Sequence, residues 1–92
     1  MFNIYVLKSL RTGKIYVGFT SKDPQIRLSE HNKHCNKWDK GNSPFILVHF
    51  ESYRSKKEAM QREMFLKSGQ GRKLLKTLIA DKIINNSVDV PL

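Results

Sequence analysis

The residues "IYVLKSLRTGKIYVGFT", Ile4 to Thr20, decide the fold. Two short apolar runs, each with a tyrosine, flank the polar "KSLRTGK". Their β-branched and aromatic residues favour strands, and Gly13 favours a turn. The spacing predicts a hairpin of Phe2–Leu7 and Lys14–Thr20. If its loop holds an even number of residues, facing positions sum to an odd number. Tyr5, Tyr16 and Gly18 then share one face of the sheet. An odd loop or a bulge would separate them.

Outward from the hairpin, "DP" at Asp23-Pro24 is an N-cap followed by proline at the first helical position. A helix is expected from there to about His34, with Arg27 and His31 four apart on one face. "CNKWDKGNSP" reads as a loop, broken by Gly41 and Pro44. "FILVHFESY", Phe45–Tyr53, has the length and composition of a third strand. His49 within it reads as a hydrogen-bonded structural histidine. Ser55 to Glu58 is a capping box opening a second helix, which Gly69 should end. On its wheel Ala59, Met60, Met64 and Leu66 mark an apolar arc, and Glu63 projects inside it. A carboxylate aimed at a core is costly unless it is paired or holds a metal. Taken alone, Glu63 reads as a rim acid paired with Arg62 or Lys67. A third helix is expected from about Lys73 to Ile83, with an apolar stripe through Leu75 and Ile79. The order is β-β-α-β-α-α. It predicts one α+β domain over residues 1–84, a small three-stranded antiparallel sheet flanked by helices, with 85–92 as a tail.

Composition narrows the partners. The chain has 92 residues, with 17 Lys+Arg against 8 Asp+Glu, a formal net charge of +9. Eight of these cations lie between Lys8 and Lys40 and nine between Arg54 and Lys82, so the charge belongs to the folded domain. Such a field attracts polyanions: nucleic acid first, an anionic membrane surface second. No apolar run approaches the roughly 20 residues of a membrane span. "MFNIYVLKS" has no signal-peptide pattern, and the single Cys35 suits a reducing compartment. A cytoplasmic protein is expected.

The chain resembles the GIY-YIG nuclease superfamily, whose signature is a G-I-Y strand followed about ten residues later by a Y-[IV]-G strand. Here "NIY" ends at Tyr5 and "YVG" begins at Tyr16. The likeness continues through "GFTS", "IRLSEHN", the proline before the third strand, and "EAMQREMFLKSGQGR". It covers about Asn3 to Leu78 and is greatest to the short stand-alone members. The resemblance implies metal-dependent phosphodiester cleavage in nucleic acid, DNA ahead of RNA, with one magnesium or manganese ion. It makes Tyr5 and Tyr16 the motif tyrosines, Gly18 the motif glycine and Arg27 the catalytic arginine. His31 matches the catalytic position one turn later, and Glu63 the metal ligand. Tyr16 would accept a proton from water, and Tyr5 would hold Tyr16 or the phosphate. Arg27 would bind phosphate oxygens, and His31 would orient the water or shuttle a proton.

The chain departs from the pattern at Asn3, where the motif has glycine, and at Phe19, where some members carry lysine. The late asparagine has only Asn85 and Asn86 as candidates, by distance. Lys37, Lys40, Lys67 and Arg72 are candidate nucleic-acid contacts. No separate targeting domain is evident, so a protein partner is a candidate source of specificity. The alternative is a nucleic-acid-binding module on the same fold with little or no cleavage.

Overall fold

The computed structural model describes residues 1–33 and 37–89, without the side chains of Trp38 and residues 81–89. Cys35 and the side chains of Asn85 and Asn86 therefore lie outside the described residues. The elements are β1 (Phe2–Ser9), β2 (Ile15–Thr20), α1 (Pro24–Asn32), α2 (Lys37–Asn42), β3 (Phe45–Tyr53), α3 (Lys56–Lys67) and α4 (Gly69–Asp89). The strands form one antiparallel sheet, ordered β2-β1-β3. This is the expected α+β architecture with one short helix added.

Tyr5 faces Gly18 and Leu7 faces Tyr16, so each pair sums to an odd number and the tyrosines share a face. Gly13 turns the hairpin at φ 76°. The two faces of the sheet bury different partners. Tyr5 and Leu7 pack with Phe45, Leu28 and Tyr16 beneath α1. Ile4, Val6 and Val17 pack with Ala59, Leu66 and Leu75 from α3 and α4. The central strand thus feeds two cores by simple alternation.

Both expected caps are present. Asp23 accepts from the Gln25 N–H at 2.8 Å, and the Ser55 side chain accepts from Glu58. Several boundaries differ from the sequence reading, and α4 runs on to Asp89 rather than ending near Ile83, through residues expected to be tail. "KWDKGN" is helical, not looped. Long-range bonds hold it: Ser9 Oγ donates to the Asn42 carbonyl, and Thr12 Oγ1 donates to Asn42 Oδ1 at 2.7 Å. At the other end of the chain α4 begins at Gly69 rather than Lys73. Ser68 closes α3 through its N–H to Phe65 O, then accepts the Arg72 N–H at 2.9 Å to open α4.

The buried stripe of α3 is also displaced from the expected arc. Ala59 and Leu66 are buried, whereas Met60 is 44% and Met64 72% exposed. Arg62 and Glu63 fill the sheet-facing side between them, half-buried. The reason is an acid on β3. Glu51 accepts from Arg62 Nε at 2.8 Å, Tyr53 Oη at 2.6 Å and His49 Nε2 at 2.8 Å. His49 is structural, as expected.

Burial works against the Glu51 charge, but the bonds from Arg62, Tyr53 and His49 outweigh it and hold its pKa down at about 2. A depressed carboxylate stabilises the fold above its ordinary value of 4.5, and that contribution is lost as pH falls toward 2. The difference is worth no more than about 3 kcal/mol. Thermal melts of the parent should therefore lose stability between these pH values more steeply than those of Glu51→Gln. Parallel curves would show that Glu51 does not anchor α3.

Candidate active site

Four of the expected groups meet on the α1 face of the sheet. Strand period brings Tyr5 and Tyr16 there, and helical period brings Arg27 and His31 from α1. The Tyr5 hydroxyl lies 3.1 Å from His31 Nε2, and Arg27 Nη2 donates to it at 3.4 Å. The Tyr16 ring stands 5.1 Å from the His31 ring and 6.0 Å from the Tyr5 ring, centroid to centroid.

Gly18 explains how the phenol fits. A Cβ at this position would fall inside the Cζ–Oη end of Tyr5. Tyr5 is only 1% exposed and has no room to swing away. The glycine that stops the second tyrosine strand therefore serves the ring on the first.

A residue the sequence did not single out completes the arrangement. Asp39 of α2 is fully buried, and its Oδ1 lies 2.8 Å from His31 Nδ1. A carboxylate only accepts, so Nδ1 carries a proton, and in the tautomer this fixes Nε2 is the acceptor. Tyr5 then donates to Nε2 while accepting from Arg27. The order Arg27, Tyr5, His31, Asp39 is one continuous hydrogen-bonded run. Glu30, also missed, accepts from Arg27 Nη1 at 2.9 Å and pairs with Lys22 at 3.2 Å.

The two phenols differ in kind. Burial pushes the Tyr5 pKa up to about 12; its bond from Arg27 opposes the rise and the neighbouring Tyr16 phenol adds to it. Tyr5 stays protonated at neutral pH and acts as a donor. Its hydroxyl is held between His31 and Arg27 with the Tyr16 phenol beside it, so it positions these groups. Tyr16 is half-buried and accessible. Burial alone would lower the Arg27 pKa, but bonds to Tyr5 and Glu30 raise it, so its charge is constant.

Glu63 comes from the other side. Its helix α3 covers the opposite sheet face, and its carboxylate pairs with Lys67 at 3.2 Å. β2 is an edge strand, so the two faces meet along it, and a groove there is lined by both Tyr16 and Lys67. Among the described residues no three His, Cys, Asp or Glu side chains converge on a metal position. Glu63 offers a single carboxylate, 18% exposed. Such a donor set fits an ion that keeps waters and takes phosphate oxygens, the habit of magnesium, and does not fit a protein-caged ion. Of the candidate cations, Lys37 and Lys40 are exposed on α2, Lys67 on α3 and Arg72 on α4.

Asp39→Ala should cost about 1–3 kcal/mol, because it leaves a buried imidazole N–H without its acceptor. Asp39→Asn should keep the fold and change the tautomer, since an amide can donate to Nδ1. Nitrogen NMR of His31 reads this directly. An unchanged tautomer would mean that Asp39 does not orient the ring.

Residues 1–76 match the GIY-YIG catalytic domain. A UPF0213 protein of Halobacterium salinarum is 41% identical over 68 residues, 73% of this chain and 86% of that protein. A UPF0213 protein of Clostridium perfringens is 35% identical over 65 residues, 70% of this chain and 68% of that protein. One from Staphylococcus aureus is 33% identical over 76 residues, 82% of this chain and 90% of that protein. No solved structure matches the chain. No helix among the described residues is long and apolar enough to cross a membrane.

Proposed function

Because the chain belongs to the GIY-YIG family of catalytic domains, we propose that it is a divalent-metal-dependent endonuclease, hydrolysing phosphodiester bonds in nucleic acid, DNA ahead of RNA. The observation that carries this reading is the bonded run Arg27–Tyr5–His31–Asp39 beneath the accessible Tyr16. Phosphodiester hydrolysis asks for an activated water and for fixed positive charge on the phosphate. Arg27 supplies the charge. Two of its N–H groups engage Glu30 and Tyr5, which aims the guanidinium, and the remaining donors are left for phosphate oxygens.

Tyr16 is the phenol that can meet a water, and its position against His31 suits proton acceptance. Tyr5 and Asp39 are positioning residues. They hold the imidazole in one tautomer, so His31 presents the same nitrogen in every molecule. Glu63 would hold the ion, once Lys67 yields its carboxylate. Bound there, magnesium or manganese would polarise the phosphate and lower the pKa of its water. The net charge of +9 supports the polyanionic substrate.

The test is incubation with branched, single-stranded and duplex DNA and RNA, with magnesium or manganese. Metal-dependent cutting is expected. Binding without cutting of any substrate would replace this reading with a nucleic-acid-binding module, which the Glu63–Lys67 ion pair independently favours.

A further inference from the structure

The groove along the outer edge of β2, about 570 Å³ in volume, runs between that strand, the end of α3 and α4. Tyr16 stands in its wall. Four cations line it, Lys14, Lys67, Arg72 and Lys76, and no carboxylate does. Among the described residues Lys14, Arg72 and Lys76 carry no ion pair, and Lys67 is paired with Glu63. A groove that gathers three uncompensated like charges stores repulsion, which a bound polyanion relieves. Its lining is not wholly polar: Ile15, Leu75 and Ile79 share it with the cations.

This combination discriminates between nucleic-acid forms. A duplex hides its bases and offers a narrow groove only phosphates, leaving the apolar lining uncovered. An unpaired strand offers phosphates to the cations and base faces to apolar side chains and Tyr16 at once.

We propose that this groove holds one unpaired nucleic-acid strand, leading it past Tyr16 into the catalytic face. The inference rests on the nuclease reading for its orientation and deepens it by naming the substrate as one with a single-stranded segment. Lys67 links the two sites. Its ammonium sits on Glu63 in the free protein, and a phosphate in the groove offers it an alternative partner. A strand entering the groove would therefore release the Glu63 carboxylate.

The experiment is a fluorescence titration of the full chain over a range of salt concentrations. The probes are a short mixed-sequence DNA strand, the same sequence as RNA, and the blunt DNA duplex. The parent is compared with Lys14→Gln/Arg72→Gln/Lys76→Gln and with a control of equal charge, Arg54→Gln/Lys56→Gln/Lys57→Gln. The parent should bind both single strands more tightly than the duplex. The groove variant should lose this preference and bind single strands roughly tenfold more weakly, with a log–log salt slope shallower by about 2, near 0.7 per phosphate contact. The control should keep the preference.

Equal single-strand affinity and salt slope in groove variant and control would overturn the inference. So would a parent that prefers the duplex. Cleavage by the same samples keeps the two readings apart. A parent that cuts, with a groove variant of unchanged KM, defeats the groove alone. A parent that binds strands through the groove and cuts nothing defeats the nuclease and leaves the groove standing.

Discussion

Glu63→Ala is expected to abolish metal-dependent cleavage while leaving nucleic-acid binding unchanged or slightly tighter. Glu63 is the carboxylate that the sequence resemblance puts forward for the ion, and among the described residues no cluster of acids and histidines stands ready to replace it. The substitution also frees Lys67, its ion-pair partner, on a basic surface. Removing a negative charge there can only favour a polyanion. Arg27→Ala should separate from this result. It should slow cleavage about 10²–10³-fold, the usual cost of losing one charge-stabilising donor, and weaken binding as well. Neither side chain is fully buried, and the surface ion pairs each makes are worth little, so the fold should survive. Cleavage assays and binding titrations on the same folded variants check both. A Glu63→Ala protein that cuts as well as the parent would remove the assigned metal ligand.

The second large effect falls on a residue without a side chain. Gly18→Ala should destabilise the domain by about 1–3 kcal/mol, through overpacking against a ring that cannot retreat. What survives folded should have Tyr5 displaced from His31 and Arg27, and should cut poorly even where it binds normally. Denaturant melts measure the first part, and binding and cleavage of the refolded variant the second. Wild-type stability in Gly18→Ala would mean that the Tyr5 ring is free to move. That would also undo its role in holding Arg27 and His31.

Much of this site is legible in the chain because it depends on short periods. Ten residues between Tyr5 and Tyr16, with an even hairpin loop, place both on one face. A spacing of four positions from Arg27 to His31 places both on one side of α1, and Asp23 and Ser55 announce their helices through local caps. Such features follow from backbone geometry over a few residues, so the linear sequence is enough to determine them.

Asp39 is different. It lies eight positions beyond His31 with no helical or strand period between them, and the polar segment around it reads as a loop. Only the docking of "KWDKGN" against Ser9 and Thr12 turns it inward. The face of α3 is likewise a tertiary matter. Its wheel points through Met60 and Met64 with Glu63 among them, but the bonds from Arg62 to Glu51 bring Arg62 to the sheet-facing side beside Glu63 and leave both methionines exposed. The side of the sheet that α3 covers, the Glu63–Lys67 pair at the β2 edge and the cationic groove all depend on where two helices land on a shared strand. That landing is decided by contacts between residues far apart in the chain. The residue types at this site are therefore a property of the sequence, whereas the partner each one holds is a property of the packed fold.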